Sequence, residues 1–163
     1  MANVFEPEFD TESERDGFRY RRARLGWQAG SEHLGVSLYE IPPGQATFPY
    51  HRHAANEEMM LVFSGRPSVR TDSGWRELAT GEVVAFPCGE DSAHQVANRT
   101  EEPARVLFVS TMITPEVAVY PDSGKLMVAT RAPGARGEGI QEVYPRDRAT
   151  DYWAGERPPE ASA

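Results

Sequence analysis

Three of the four histidines have a spacing that suits metal ligands carried on β-strands. His51 and His53 are separated by one residue, so on a strand both imidazoles point to the same face. Glu58 opens the next apolar run, and His94 heads a later one behind the turn Pro87-Cys88-Gly89. These four side chains therefore predict one shared site, which His94 reaches from across a closed sheet.

Three neutral imidazoles and one carboxylate are a ligand set for one divalent transition metal. They suit Fe, Mn, Ni, Cu or Zn, and are too rich in nitrogen for calcium or magnesium. Four protein ligands on an ion that accepts six leave positions open for a substrate. The alternative is a polar, hydrogen-bonded barrel interior that has lost its metal, and it is disfavoured because it would leave desolvated groups poorly compensated.

Three further residues with reactive side chains lie near this set in the sequence. Strand alternation puts Glu57 and Glu58 on opposite faces, so only one of them can join the imidazoles. His33 lies in an early strand outside the set, and we expect it to be structural or exposed. Cys88 has no evident histidine partner that would activate its thiol, so we interpret it as an inert turn residue.

The elements that must position these side chains are short strands. Between residues 18 and 130 the chain consists of apolar or alternating runs broken by Gly and Pro, which is typical of all-β proteins. No stretch keeps apolar residues at helical spacing for three turns. The sequence therefore predicts a single barrel or sandwich. The predicted strands are Phe18–Leu25, His33–Ile41, Thr47–His53, Glu58–Ser64, Pro67–Thr71, Glu82–Phe86, His94–Asn98, Arg105–Thr111 and Leu126–Thr130.

A chain of 163 residues is long enough for one sizeable core. We expect a barrel over residues 18–130, preceded by an acidic arm over residues 1–17 that has Arg15 as its only cation. Beyond residue 131 the composition shifts to Gly, Pro, Arg and Glu, which indicates a C-terminal arm. The apolar residues of that arm predict that part of it packs on the barrel or on a neighbour, while the end from about Arg157 is expected to be disordered. Those apolar residues are Ile140, Val143, Tyr144, Tyr152 and Trp153.

Charge and composition exclude several classes of partner. The formal net charge of -8 is concentrated in the N-terminal arm, and the basic stripe that nucleic-acid binding requires is absent. The acidic N-terminus does not resemble a signal peptide, and no run approaches the roughly 20 apolar residues of a membrane span. With one cysteine no intramolecular disulfide can form, so we expect a cytoplasmic protein without a membrane or nucleic-acid partner.

Four arginines cluster at the start of the barrel. They are compatible with an anionic ligand or an interface, but the favoured interpretation is a solvated strand that pairs with the acidic arm. The four are Arg19, Arg21, Arg22 and Arg24.

Two motifs in the middle of the chain resemble those of the cupin superfamily, in particular small single-domain bacterial members of the cupin 2 type. The first motif has four residues between His53 and Glu58 and six between Glu58 and Gly65, and this count favours Glu58 over Glu57. The spacers before His51 and His94 are longer than usual, and both lie in turns, where insertions are tolerated. The first motif is Gly44, His51, His53, Glu58 and Gly65, and the second is Gly81, Pro87, Gly89, His94 and Asn98.

The resemblance implies a double-stranded β-helix, the cupin or RmlC-like jelly-roll barrel. It also implies that His51, His53, Glu58 and His94 hold the metal. The motif glycines are expected to serve turns, and Asn98 to hold a loop through its side chain. The segment from Tyr120 to Lys125 is similar to one subgroup of single-domain cupins and adds no reaction.

The leading hypothesis for function is a metal-dependent enzyme that acts on a small oxygen-bearing compound, as dioxygenases of the superfamily do. Glu58 would bind the metal or act as a base. The alternatives are a sugar isomerase or epimerase and a non-catalytic module that binds a small molecule. Exposed strand edges and two arms predict a homodimer. Some side chains close to the ligands in sequence must line the cavity; the candidates are Phe48, Tyr50, Met60, Phe86 and Gln95.

Overall fold

A computed structural model describes residues 1–131 and 138–157 of the protein, and these residues are mostly β. One short helix, α1 (Leu25–Ala29), follows the second strand, and single 3-10 turns lie at Glu90–Ser92, Pro121–Ser123 and Arg146–Arg148. The strands are β1 (Thr11–Arg15), β2 (Phe18–Ala23), β3 (Leu34–Ile41), β4 (Arg52–His53), β5 (Glu58–Ser64), β6 (Ser68–Thr71), β7 (Gly74–Glu77), β8 (Val83–Phe86), β9 (Gln95–Ala97), β10 (Ala104–Thr111), β11 (Glu116–Tyr120), β12 (Lys125–Ala129) and β13 (Gln141–Pro145).

The strands form three antiparallel sheets. One has six strands in the order β1-β2-β3-β10-β5-β8, a second has the order β13-β12-β11-β4, and a third has the order β7-β6-β9. Two isolated bridges, Ala46 with Ala97 and His51 with His94, join the segment before β4 to the segment around β9. The two smaller sheets therefore act as one layer opposite the large sheet, and the predicted double-stranded β-helix is confirmed.

The core lies between the two layers and follows the period-two alternation of the strands. In β5, Met60 and Val62 are fully buried, whereas Met59, which points to the opposite face of the strand, is exposed. In β10 the alternate residues Ala104, Val106 and Phe108 point inward. The main cluster combines side chains of both layers: Tyr39, Ile41, Met60, Val62, Val69, Leu78, Phe86, Val96, Val106 and Phe108.

The predicted strand over residues 47–53 is much shorter than expected. Only Arg52–His53 is a strand, because the segment before it contains Pro49 and joins its neighbours through single bridges instead of a ladder. The other eight predicted strands have counterparts within a few residues of their expected ends. Four strands were not expected: β1, β7, β11 and β13.

Part of the acidic N-terminal segment is a strand of the large sheet. Strand β1 lacks the apolar alternation that marks a half-buried strand, and it pairs with the basic strand β2 so that Glu12 lies opposite Arg21 and Glu14 opposite Arg19. Opposite charges on facing positions of an antiparallel pair stabilise the pairing. The composition of this segment predicted its negative charge, but it did not predict that the segment forms a strand.

The described part of the C-terminal segment adds an edge strand. Strand β13 pairs with β12, and all five of its residues are exposed. The predicted disordered end, beyond Arg157, lies outside the described residues. No helix within residues 1–131 and 138–157 has the length and apolar character that a membrane crossing requires.

Candidate metal centre

Two candidate ligands are fixed by pairing with each other along the backbone. The N–H of His51 donates to the carbonyl oxygen of His94 at 3.0 Å, and the N–H of His94 donates back to His51 at 2.8 Å. The longer spacer between Gly89 and His94 is taken up by the 3-10 turn Glu90–Ser92. The insertion therefore leaves His94 facing His51, as the motif requires.

Two of the imidazoles are each held by a hydrogen bond from Nδ1 to a backbone carbonyl. Nδ1 of His51 lies 2.8 Å from the carbonyl oxygen of Pro49, and Nδ1 of His94 lies 3.0 Å from that of Ser92. A carbonyl oxygen only accepts, so both Nδ1 atoms must carry the proton. Nε2 of His51 is therefore an acceptor that faces His53, while Nε2 of His94 is hydrogen-bonded to Glu58 at 3.2 Å.

The Nε2 atoms of His51 and His53 lie together with the Glu58 carboxylate, and Nε2 of His94 reaches this group through Glu58. Nε2 of His51 is 3.1 Å from Nε2 of His53, and Oε2 of Glu58 is 3.4 Å from Nε2 of His53 and 3.2 Å from Nε2 of His94. The ligand atoms of His51, His53 and Glu58 all lie within 4.8 Å of one another. Two nitrogen lone pairs this close repel unless a cation or a proton lies between them, so the donor set fits a metal ion.

Glu57 lies outside this cluster, as alternation predicted. Its side chain is exposed, whereas Glu58 on the next position of the chain points inward. Gly65, six residues beyond Glu58, has a φ of 79°, and a Cβ there would lie 2.8 Å from the backbone of Ala104. The motif glycine is thus required both by a left-handed turn and by close contact with β10.

Glu116 is the acidic residue of the centre that the sequence did not reveal. Its side chain is 3% exposed, and one of its oxygens lies 3.7 Å from Nδ1 of His53. The same carboxylate accepts the backbone N–H groups of Ala54 at 3.0 Å and Asn56 at 3.0 Å, and the side-chain amide of Asn56. Nδ1 of His53 is buried and otherwise has no acceptor within the described residues. Glu116 therefore orients His53 from behind.

Charges within the cluster set the protonation states of its members. Burial lowers the pKa of His51 to about 4, and the neighbouring His94 and His53 add to the effect. Burial also lowers the pKa of His53, but Glu116 and Glu58 outweigh it and raise that pKa to about 9. Burial raises the pKa of Glu58, yet hydrogen bonds from His53 and His94 hold it well below its usual range. A metal ion that binds these Nε2 atoms must displace a proton from His53.

A cavity of about 590 Å³ adjoins the centre. His51, His53 and Glu58 form part of its wall, while His94 lies behind them, stacked on Phe86 with ring centroids 3.8 Å apart. The size suits a small organic molecule. Apolar and aromatic side chains form most of the remaining wall: Trp27, Leu34, Val36, Tyr39, Phe48, Phe108, Met112, Ala118, Tyr120 and Met127.

The other residues singled out in the sequence have structural positions. Among the candidates for the cavity wall, only Phe48 lines this cavity, and Tyr50 and Gln95 line a second one. Asn98 is fully buried, and its amide donates to the carbonyl oxygens of Ile41 at 2.9 Å and Glu102 at 2.7 Å, which confirms its role in holding a loop. The side chains of His33 and Cys88 are exposed.

Comparison with known proteins finds a family match in the middle of the chain. Residues 37–110 match the model of the cupin domain family. Together with the double-stranded β-helix, this match identifies residues 37–110 as a cupin domain.

Solved structures cover nearly the whole chain. A sugar phosphate isomerase of the cupin superfamily from Silicibacter pomeroyi is 28% identical, with a TM-score of 0.76 over 91% of this chain and 94% of that one. A protein from Acidithiobacillus ferrooxidans, provisionally described as a sugar phosphate isomerase, is 25% identical, with a TM-score of 0.74 over 90% and 88%. A polyketide cyclase from Streptomyces resistomycificus, 20% identical with a TM-score of 0.57 over 68% and 78%, shows the fold alone. No curated protein matches the chain significantly.

Proposed function

We propose that the protein is a metal-dependent enzyme that acts on a small oxygen-bearing compound. The grouping of the His51 and His53 Nε2 atoms with the Glu58 carboxylate at the wall of a cavity, with Nε2 of His94 3.2 Å from that carboxylate, supports this most strongly. His51, His53, Glu58 and His94 would hold one divalent ion of Fe, Mn, Ni, Cu or Zn. When bound, such an ion supplies Lewis-acid polarisation of a carbonyl or hydroxyl oxygen.

Isomerisation of a hydroxy-carbonyl compound is the reaction we favour. The two similar structures that bear the name sugar phosphate isomerase cover about nine-tenths of this chain, and each is covered to a similar extent. The Glu58 carboxylate faces the cavity, so it is placed to accept a proton from a carbon beside the substrate carbonyl. In this scheme Glu58 is the catalytic base, and Glu116 keeps His53 in place.

Oxygen-dependent cleavage by a dioxygenase-like enzyme is the second candidate. It is favoured by the nitrogen-rich donor set, since three imidazoles suit iron, nickel and copper. The apolar wall of the cavity would exclude bulk water from a reactive substrate. The third candidate is a module that binds a small molecule without turnover. It would use the same site, so only assays distinguish it from an enzyme.

One pair of assays separates these candidates. The purified protein is analysed for metal, then incubated in deuterated water with a panel of hydroxy-carbonyl compounds, enols and diols. Proton NMR follows exchange at the carbon beside the carbonyl, and an oxygen electrode follows oxygen uptake. An isomerase exchanges deuterium into its substrate without oxygen uptake, and a dioxygenase consumes oxygen. Stoichiometric metal with neither activity would contradict an enzymatic function, while absence of metal binding would contradict the metal site itself.

Glu58→Gln tests the role of the base within the same assays. The amide keeps the size of the side chain but cannot accept the proton. With metal supplied to saturation we expect loss of deuterium exchange, whereas Glu57→Gln, on the exposed position next to it, should retain full exchange. Full turnover by Glu58→Gln would contradict the proposed base.

We also propose a homodimer that acts in the cytoplasm on a small-molecule substrate and has no nucleic-acid partner. Strand β13 is an exposed edge, and Val143, Tyr144, Tyr152 and Trp153 expose 47–82% of their surface. Edges and apolar side chains of this kind are usually covered by a partner. Light scattering at micromolar concentration should give twice the mass of the chain, and a monomer would contradict this proposal.

A further inference from the structure

Arg22 is an inward-pointing cation of the barrel. Strand β2 alternates, so that Tyr20 and Arg22 are partly buried while Arg19 and Arg21 are exposed. Tyr20 packs edge to face on Tyr39 with ring centroids 5.3 Å apart, which places this side of β2 against the interior. The guanidinium of Arg22 lines the same cavity as His51, His53 and Glu58.

No carboxylate oxygen among the described residues lies within ion-pair distance of Arg22, although Asp10 acts on its charge from farther away. Neighbouring arginines of the segment are paired: Arg21 with Glu40, and Arg24 with Asp10 at 2.9 Å. Arg22 instead donates from Nη1 to the hydroxyl of Tyr39 at 3.3 Å, and its Nε is buried without an acceptor. A partly buried charge that the fold does not neutralise is costly, so a ligand that neutralises it would bind with a gain.

Tyr39 makes Arg22 part of a two-donor group. Its hydroxyl oxygen accepts from Arg22, which leaves the O–H proton of Tyr39 free to donate to a ligand. A guanidinium and a hydroxyl side by side recognise the oxygens of a phosphate or a carboxylate. The surrounding wall is mainly apolar, so these polar contacts would fix the orientation of a ligand.

One aromatic side chain separates this pair from the metal ligands. The Phe48 ring lies 5.4 Å from the Tyr39 ring and 6.0 Å from the His51 ring, measured between centroids. The pair and the candidate metal ligands therefore lie along one wall of the same cavity. The charged residues of the cavity wall are Glu58 at the centre, the exposed Glu32, Arg22 and Arg24. Arg24 is paired with Asp10, so Arg22 is the cation of the wall suited to a ligand anion.

We propose that Arg22 and Tyr39 bind the anionic group, phosphate or carboxylate, of the substrate whose reacting carbons lie at Glu58. This inference rests on the proposed function for the position of the reacting carbons. The anion-binding pair itself is independent of the reaction, and binding experiments test it without turnover.

Isothermal titration calorimetry with inorganic phosphate and with glycolate tests the pair directly. The titrations use the protein as isolated and again after treatment with a chelator, because a metal ion also binds anions. We expect the wild type to bind one of the two anions in both forms. Binding of phosphate identifies a phosphorylated substrate, and binding of glycolate identifies a carboxylate.

The matched variants lie on opposite faces of β2. Arg22→Gln should weaken binding of the preferred anion at least about tenfold, since hydrogen bonds to charged groups contribute about 1.5–3 kcal/mol. Arg21→Gln, on the exposed face, should bind as the wild type does, and Arg22→Lys should bind with intermediate affinity and guards against misfolding of the glutamine variant. Equal binding by Arg22→Gln and the wild type, or no anion binding by the wild type at millimolar concentration, would overturn the proposal.

Metal analysis of the same variants distinguishes failure of this inference from failure of the proposed function. Arg22→Gln should retain the metal content of the wild type, because Arg22 is not a ligand. If anion binding depends on Arg22 but no metal binds, the anion site stands and the metal-dependent function fails. If metal binds but anion affinity does not depend on Arg22, the function stands and the anion site fails.

Discussion

Arg21 and Arg22 are neighbours on strand β2, but their charges are treated differently. One faces a carboxylate of β3 and the other does not. On the outer face, Glu40 accepts from Arg21 at 3.1 Å and from Arg105 at 2.7 Å, so the charges are paired within the chain. On the inner face, Arg22 has no carboxylate partner among the described residues and contacts Tyr39. The outer face is thus electrostatically complete, whereas the inner face is complete only with a ligand.

A similar contrast, and a larger one, separates Glu40 on the outer face from Glu58 in the candidate metal centre. Glu40 and Glu58 both have a pKa below the usual range, but the groups responsible differ. The arginines that hold Glu40 carry permanent charges, whereas the histidines that hold Glu58 do so through protons that a metal ion can displace. Ion pairs such as Glu40 with Arg105 stabilise the fold. A cluster whose potential metal-ligand atoms face each other instead indicates a site for a cation.

The largest expected effect comes from removing a ligand of the inner cluster. Glu58→Gln should lower metal affinity by more than about 100-fold, beyond the effect of changing a residue that only orients a ligand. Glu40→Gln, a similar change on the outer face, should leave metal affinity unchanged. Titration of the chelated protein with Zn²⁺ or Ni²⁺ measures both. Equal affinities in the two variants would remove the distinction between the faces.

A smaller effect is expected from Glu116, which contacts a ligand instead of the metal. Glu116→Gln should weaken metal binding about 10–100-fold, because His53 loses the carboxylate behind its Nδ1. It should also lower the free energy of unfolding by about 1–3 kcal/mol, because the amide replaces an acceptor of backbone N–H groups.

Glu82→Gln is the matched control for this change. Glu82 also accepts a backbone N–H, that of Ala79 at 2.6 Å, but it lies on the outside of the barrel. It should lose some stability in thermal unfolding and no metal affinity. If both variants kept wild-type metal affinity, Glu116 would be a structural residue only.

The smallest effect is expected on the outer face. Partial burial raises the pKa of Glu40, but hydrogen bonds from Arg21 and Arg105 outweigh it and lower the pKa below its ordinary value of 4.5. The ion pairs therefore stabilise the fold above that pH, and this contribution is lost as the pH falls through the lower folded-state pKa. Glu40→Gln should cost about 0.5–1 kcal/mol at pH 7, because these pairs are partly exposed.

Denaturant unfolding at pH 7 and at progressively acidic pH measures this contribution. The difference between Glu40→Gln and the wild type should shrink as the pH falls below about 4.5, the ordinary value. A difference that stayed constant with pH would show that packing, and not charge, stabilises this position.

The four candidate ligands could be singled out from the sequence because short-range patterns determine their positions. The His51 and His53 pair follows from strand alternation, and alternation also separates Glu58 from Glu57. His94 kept its place despite a longer spacer, since the 3-10 turn takes up the additional residues. Cupin motifs consist of these spacings, so the sequence was sufficient to predict the fold and the candidate ligands of the centre.

Glu116 and Arg22 required the long-range register of the sheets. Glu116 reaches His53 because β11 pairs with β4, which places Ala118 opposite His53 across 65 residues of chain. Strand β11 was not predicted, so its first residue could not be assigned to the centre. Arg22 was grouped with the solvated arginines, and the structure corrects this: Arg24 pairs with Asp10 of the acidic segment as expected, but Arg22 points inward.

X-ray absorption spectroscopy of the protein, after loading with Zn²⁺, tests the central claim most directly. The inner cluster predicts one ion per chain, with a nitrogen and oxygen shell that shows the outer-shell scattering of three imidazoles. Sub-stoichiometric zinc, or a shell with fewer than two imidazoles, would contradict a metal centre formed by His51, His53, Glu58 and His94.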